Sequence, residues 1–99
     1  MEQLKRARMA TLDCPISGTA ARLKERAWTI YASGPKQAFE TVRQIFQVLT
    51  DNVAYIGRFG DGTRMKFVAN HLVAILNVST AESITFARKL GLDVKKVYP

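Results

Sequence analysis

The sequence predicts an α/β chain in which two strands, a helix and a third strand run into one long helix. Three observations carry that reading. Ala27-Trp28-Thr29-Ile30-Tyr31-Ala32 concentrates β-branched and aromatic residues, as strands do. Phe39, Val42, Ile45, Phe46 and Leu49 recur at three- and four-residue spacing, the period of one helix face. Thr63 to Leu90 runs for 28 residues without Gly or Pro.

Residues 1–8 are polar and basic and read as a helix end or a tail. Met9 to Ile16 is a short strand-like run, and Pro15, which has no N–H, marks where regular pairing should stop. Ser17-Gly18-Thr19 follows as a turn, and the run beginning at Ala27 is the second strand. Ser33-Gly34-Pro35 starts a helix, since Pro suits the first helical position. The apolar spacing carries that helix from Lys36 to Leu49. Thr50-Asp51-Asn52 ends it, and Val53 to Ile56 is the third strand.

The segment Gly57-Arg58-Phe59-Gly60-Asp61-Gly62 is the main breaker in the chain. Beyond it, Thr63 to Leu90 predicts one helix about 42 Å long at 1.5 Å per residue, closed by Gly91. Its middle is apolar nearly all round, so it is expected to be buried on most sides, more than 99 residues readily supply. Asp93 to Tyr98 reads as the first turn of a further helix. The change from mixed to purely helical pattern predicts two domains, 1–58 and 59–99.

Composition narrows the function. Hydrophobic content of 47% and charged content of 23% belong to a globular chain. The nearly apolar run from Phe67 to Val78 is interrupted by Asn70, His71 and Asn77 and falls short of a membrane span. No apolar core follows the basic N-terminal residues, so a secretory leader is not expected, and a single cysteine fits a reducing cytoplasm. One Cys and one His make no ordinary zinc site. Fifteen Lys and Arg against eight acids give a net charge of +7, a field that attracts anions. The basic residues are spread, with one alternating edge at Arg22, Lys24 and Arg26. That pattern favours a solvated surface, or a site for a small anion, over nucleic acid.

Several residues are candidates for chemistry. Lys66 and Asn70 are four apart and share a helix face in an otherwise apolar stretch (Met65, Phe67, Val68, Ala69, Leu72). A desolvated lysine there is suited to act as a base. Ser17-Gly18 after a strand can offer a hydroxyl and backbone N–H groups to a carboxylate. His71 and Cys14 have nothing to orient them as a nucleophile and base. Gly57–Gly62 reads Gly-x-x-Gly-x-Gly rather than the dinucleotide order Gly-x-Gly-x-x-Gly, and is better read as a hinge.

Together these segments resemble the β-hydroxyacid dehydrogenases, the relatives of 3-hydroxyisobutyrate and 6-phosphogluconate dehydrogenases. Asp13-Cys14-Pro15-Ile16-Ser17-Gly18 is similar to that family's Asp-Ala-Pro-Val-Ser-Gly-Gly segment. Gly57-x-x-Gly60-x-Gly62-x-x-x-Lys66-x-x-x-Asn70 resembles its glycine-rich turn leading into the catalytic-lysine helix. The resemblance covers about residues 9–99. It implies oxidation of the hydroxyl of a 3-hydroxy acid with NAD or NADP, Lys66 as general acid/base, and Asn70 binding substrate beside it. It also implies that Ser17, Gly18 and Thr19 hold the substrate carboxylate.

In fold terms the resemblance implies the C-terminal portion of a Rossmann-type domain (1–58), then a long interdomain helix and the start of an all-α domain (59–99). The chain carries neither the Gly-x-Gly-x-x-Gly turn nor the acidic residue that chooses NAD over NADP. It therefore reads as a fragment lacking the N-terminal dinucleotide-binding half, cytoplasmic and inactive by itself. Thr19, Arg22 and Arg26 stand where the family pattern has glycines, and Ala69 where relatives carry Asn or His. The rival reading is a noncatalytic module that associates with itself through exposed strand edges and the apolar helix, with homo-oligomer formation left open.

Overall fold

The structure, a computed structural model, describes residue 3, residues 9–22 and residues 24–97. The polar stretch 1–8, residue 3 apart, lies outside the described residues, as does Tyr98 at the end of the last predicted helix. The described elements follow the predicted order: β1 (Ile16–Ser17), a 3-10 turn (Ala20–Arg22), β2 (Thr29–Ser33), α1 (Lys36–Leu49), β3 (Asn52–Gly57), α2 (Asp61–Lys89) and α3 (Val94–Val97).

The three strands form one sheet in the order β1-β2-β3, with β1 antiparallel and β3 parallel to β2. The parallel pair brackets α1, as a βαβ crossover requires. The register runs from Thr29 opposite Asn52 to Ala32 opposite Tyr55, then slips by one so that Ser33 faces Gly57. β2 is central, which is why Ile30 and Ala32 are buried while edge residues are not.

Phe39 of α1 packs with Trp28, Ile30 and Ala32, and Leu12, Cys14, Phe46, Val53 and Tyr55 close around them. The Phe39 ring lies 5.1 Å from that of Tyr55 and 6.3 Å from that of Phe46, distances at which aromatic rings attract. Thr50, fully buried, ends α1: its hydroxyl faces the carbonyls of Trp28 and Arg26 and accepts the Asn52 N–H.

The first strand differs from the predicted one. Met9 to Leu12 form no strand, and β1 lies beyond Pro15 rather than before it. Pro15 does not end the pairing because its carbonyl accepts the Tyr31 N–H (3.0 Å), while Asp13 exchanges both backbone bonds with Ser33 (2.9 and 2.8 Å). A proline lacks only the donor, so an edge segment tolerates it where its nitrogen faces away from the sheet. On α1, Phe39 is buried and Val42 and Phe46 half-buried, but Ile45 and Leu49 are exposed. The apolar stripe is therefore wider than the surface β2 and β3 cover.

The chain divides into two compact units, Met1–Ala69 and Asn70–Pro99. The second holds the remainder of α2, its stop and α3. Gly91, at φ +77, sends its N–H to Arg88 and the next N–H, of Leu92, reaches Ala87, both bonds at 3.0 Å. That is the Schellman pattern, which glycine enters without strain. Asp93 opens α3 with its carboxylate accepting the Lys95 N–H at 3.1 Å. The expectation that the middle of the long helix is buried is not met: Leu72, Val73, Ile75, Leu76 and Val78 are all exposed. Among the described residues of this unit only Ala87 is buried. Apolar character all round a helix demands cover on several sides, and a four-residue helix cannot supply it. Among the described residues no helix is long and apolar enough to cross a membrane.

Candidate active site

The start of α2 is fastened by groups far away in sequence. The first amides of any helix lack partners within it. Here the Asp61 N–H donates to the Arg58 carbonyl (2.9 Å), the Gly62 N–H to the Ser33 hydroxyl (2.9 Å) and the Thr63 N–H to Asp13 Oδ2 (2.8 Å). The Thr63 hydroxyl donates to Asp13 Oδ1 (2.7 Å), and the Ser33 hydroxyl lies 3.1 Å from Asp13 Oδ2. Asp13 thus performs the work of an N-cap across a separation of 50 residues.

Its charge lies at the positive end of the helix. Burial pushes the Asp13 carboxyl up, but the Thr63 hydroxyl and amide, the Ser33 hydroxyl and the Gly60 amide outweigh it. The group is held below its ordinary value of 3.8. Next to it the Cys14 thiol is pushed up from 9.0 by burial and by the Asp13 charge, against a hydrogen bond from the Ser33 backbone. Cys14 packs against the core and His71 is exposed on α2, so neither acquires a catalytic setting.

Gly62 lets the helix come this close. A Cβ on it would stand 2.2 Å from the Tyr31 carbonyl oxygen and 3.0 Å from that of Asp13. One turn on, Lys66 shares the face of Gly62 and Thr63. It is half-buried, and its Nζ donates to the carbonyl of Ile16. Ile16 leads directly into Ser17, Gly18 and Thr19. Gly18, at φ +150, runs so tightly along Trp28 that a Cβ would meet that side chain at 2.6 Å.

The structure therefore brings Lys66 against the Ile16 carbonyl, and the residues that follow it are the half-buried Ser17 and the exposed Gly18 and Thr19. A cationic donor near a serine hydroxyl is suited to a small molecule bearing a hydroxyl and a carboxylate. Asn70 is exposed on α2 as the first residue of the second unit.

The basic edge expected at residues 22–26 is altered at Arg26. Its guanidinium donates to the Gln47 carbonyl (2.6 Å) and to Asp51 Oδ1 (2.8 Å), closing the C-terminal turn of α1. Its backbone sits at φ +54, the left-handed region that favours glycine. An arginine at a position where the resemblance expects glycine has kept the glycine conformation and spends its charge on the protein itself.

Sequence reasoning missed Asp13, Ser33 and Thr63 as a group. Local signals name caps within a few residues of a helix start, and the strand context of Asp13 and Ser33 gives no such signal.

The amides at the one glycine-rich βα turn among the described residues are taken by Arg58, Ser33 and Asp13. A pyrophosphate cradle needs such amides pointing at the ligand, so this turn does not fit a dinucleotide's phosphates. Among the described residues no three His, Cys, Asp or Glu gather as metal ligands.

A parallel βαβ unit with a glycine-assisted helix start at its carboxyl edge is the architecture of a nucleotide-binding α/β layer. The chain belongs to the family of the NAD binding domain of 6-phosphogluconate dehydrogenase, which matches residues 1–57, more than half its length.

It is 36% identical over 87 residues to the 2-hydroxy-3-oxopropionate reductase of Escherichia coli, covering 87% of this chain and 30% of that protein. It is 31% identical over 84 residues to the mitochondrial 3-hydroxyisobutyrate dehydrogenase of Bos taurus, covering 85% of this chain and 25% of the relative. The crystal structure of a 3-hydroxyisobutyrate dehydrogenase from Salmonella typhimurium superposes with a TM-score of 0.78 at 26% identity, over 98% of this chain and 34% of that one. The chain spans between a quarter and about a third of the length of these relatives.

Proposed function

We propose that this chain supplies the acid/base and carboxylate-binding part of an NAD(P)-dependent oxidation of the hydroxyl of a 3-hydroxy acid of the 3-hydroxyisobutyrate type. In that reaction NAD or NADP serves as hydride acceptor. The observation that carries the reading is Lys66 resting on the Ile16 carbonyl, at the entrance to Ser17 and Gly18. Lys66 is the general acid/base: it takes the alcohol proton during oxidation and returns one during reduction. As the neutral amine that accepts the alcohol proton, Nζ has two N–H groups and one lone pair, so it can stay anchored to Ile16 through an N–H while the lone pair faces the substrate hydroxyl. Ser17, Gly18 and Thr19 hold the substrate carboxylate, and Asn70 donates to the substrate from one turn further along α2. The functional division falls at the glycine-rich turn, with 1–58 belonging to the cofactor domain and 59–99 to the helical part.

Because the amides at the α2 start are occupied by protein groups, the 99-residue chain is expected to bind dinucleotide poorly and to turn over no substrate alone. Both halves of the proposal are tested by following cofactor reduction with 3-hydroxyisobutyrate. Cofactor reduction by the isolated chain, abolished by Lys66→Ala, would overturn the claim of inactivity. Undiminished turnover after Lys66→Met, in a protein of this sequence extended to the length of its relatives, would sink the catalytic role of Lys66.

A second reading is self-association without catalysis, favoured by the exposure of Phe67, Val68, Leu72, Val73 and Leu76 along α2. Light scattering on the eluting chain decides it: a strict monomer at all concentrations removes this reading.

A further inference from the structure

Lys66 reaches Ile16 only if α2 is held in one place, and the groups that hold it are not the ones that touch a substrate. Three donors converge on Asp13: the N–H and hydroxyl of Thr63 at 2.8 and 2.7 Å and the hydroxyl of Ser33 at 3.1 Å. The Ser33 oxygen in turn receives the Gly62 N–H at 2.9 Å. The Asp13–Ile16 segment lies along the same face of α2 that carries Gly62, Thr63 and Lys66. Pro15 Cδ lies within 3.1 Å of the Cβ position of Gly62.

Between Thr63 and Lys66 the helix advances only about 4.5 Å. Between Asp13 and Ile16 an extended chain advances about 10 Å. The lysine side chain spans the difference. A register slip of α2 by one residue also turns the helix by about 100°, which would swing Lys66 off the face that meets Ile16.

We propose that Asp13 is the positioning residue for Lys66: its carboxylate, clamped by Thr63 and Ser33, sets where α2 begins and so places Nζ at the Ile16 carbonyl. This rests on the reading of Lys66 as the acid/base, and deepens it. Asp13 touches no substrate atom in this scheme. An isosteric amide removes the charge at the helix start and leaves one acceptor oxygen, so the Thr63 hydroxyl must turn round and accept from the NH2 group, which weakens the clamp.

The test reads position rather than turnover. In the 99-residue chain, through-space NMR contacts between the Lys66 ε-methylene and the Ile16 and Ser17 protons are compared in the wild type, Asp13→Asn, Thr63→Ser and Thr63→Val. The β2–β3 ladder amides serve as the folding control. The expected result is loss of the Lys66 contacts in Asp13→Asn with the ladder intact, their retention in Thr63→Ser, which keeps both donors, and their weakening in Thr63→Val. Retention of the wild-type contacts in a folded Asp13→Asn chain overturns the proposal. If Asp13→Asn loses the ladder as well, Thr63→Val decides: unchanged Lys66 contacts overturn it and weakened ones uphold it. If Lys66 proves dispensable for turnover, the catalytic reading fails while these contacts still report whether Asp13 positions it.

Discussion

Gly62 is seated against Tyr31 so closely that a single added carbon would stand 2.2 Å from the Tyr31 carbonyl oxygen. The neighbour is backbone of the central strand, which cannot swing aside, so the helix must move instead. Gly62→Ala is expected to destabilise the chain by about 1–3 kcal/mol, the range for forcing atoms into a packed site. Gly91→Ala has open space around it and meets only the left-handed backbone penalty of about 1–2 kcal/mol. Urea unfolding monitored by Trp28 fluorescence should place Gly62→Ala at the lower midpoint, and the reverse order would refute the packing argument.

Asp13 sets an acid limit on stability. Its folded carboxyl titrates below the ordinary 3.8, so the stability it contributes is complete above that value and is lost as pH falls through the lowered one. Replacing it by Asn removes the charge at the positive end of α2 and should cost about 1 kcal/mol at neutral pH. Thermal melts from pH 7 downwards should show the gap between wild type and Asp13→Asn widest at neutral pH and closing as the pH falls below 3.8. A gap that stays constant with pH would mean the carboxylate charge has no part in it.

Arg26 allows backbone strain and side-chain capping to be separated. Both Arg26→Ala and Arg26→Gly lose the bonds to Gln47 and Asp51, which are exposed and worth about 1 kcal/mol or less. Only glycine relieves the cost of φ +54. Arg26→Gly should therefore be more stable than Arg26→Ala by about 1 kcal/mol. Equal midpoints in urea would show that Arg26 is not held in the left-handed region in solution.

Cys14 should be slow to alkylate. Burial and the Asp13 charge keep its thiol protonated beyond the usual range, and the thiolate is the reactive form. It is the single cysteine of the chain, so mass spectrometry gives one clean shift. At pH 8 the folded chain should react with iodoacetamide more slowly than the urea-unfolded chain. Similar rates would mean that Cys14 is open to solvent.

The division between what was legible in the sequence and what was not follows the range of the forces involved. α1 was readable from Lys36 to Leu49 because its apolar period and its boundary residues lie within one short stretch. The stop at Gly91 was readable for the same reason, and so was the strand-strand-helix-strand order. The family followed from the two motifs around Ser17-Gly18 and Lys66-x-x-x-Asn70, and the match over residues 1–57 bears it out.

The tertiary structure alone decided that pairing continues past Pro15, that Arg26 takes a glycine conformation, and that Asp13 and Ser33 cap a helix 50 and 29 residues away. Such bonds depend on which segments the sheet brings side by side. Local propensity is set by neighbours within a helical turn or a strand pair, whereas a hydrogen bond across the fold exists only once the core of Trp28, Ile30, Ala32 and Phe39 has closed and fixed the distance.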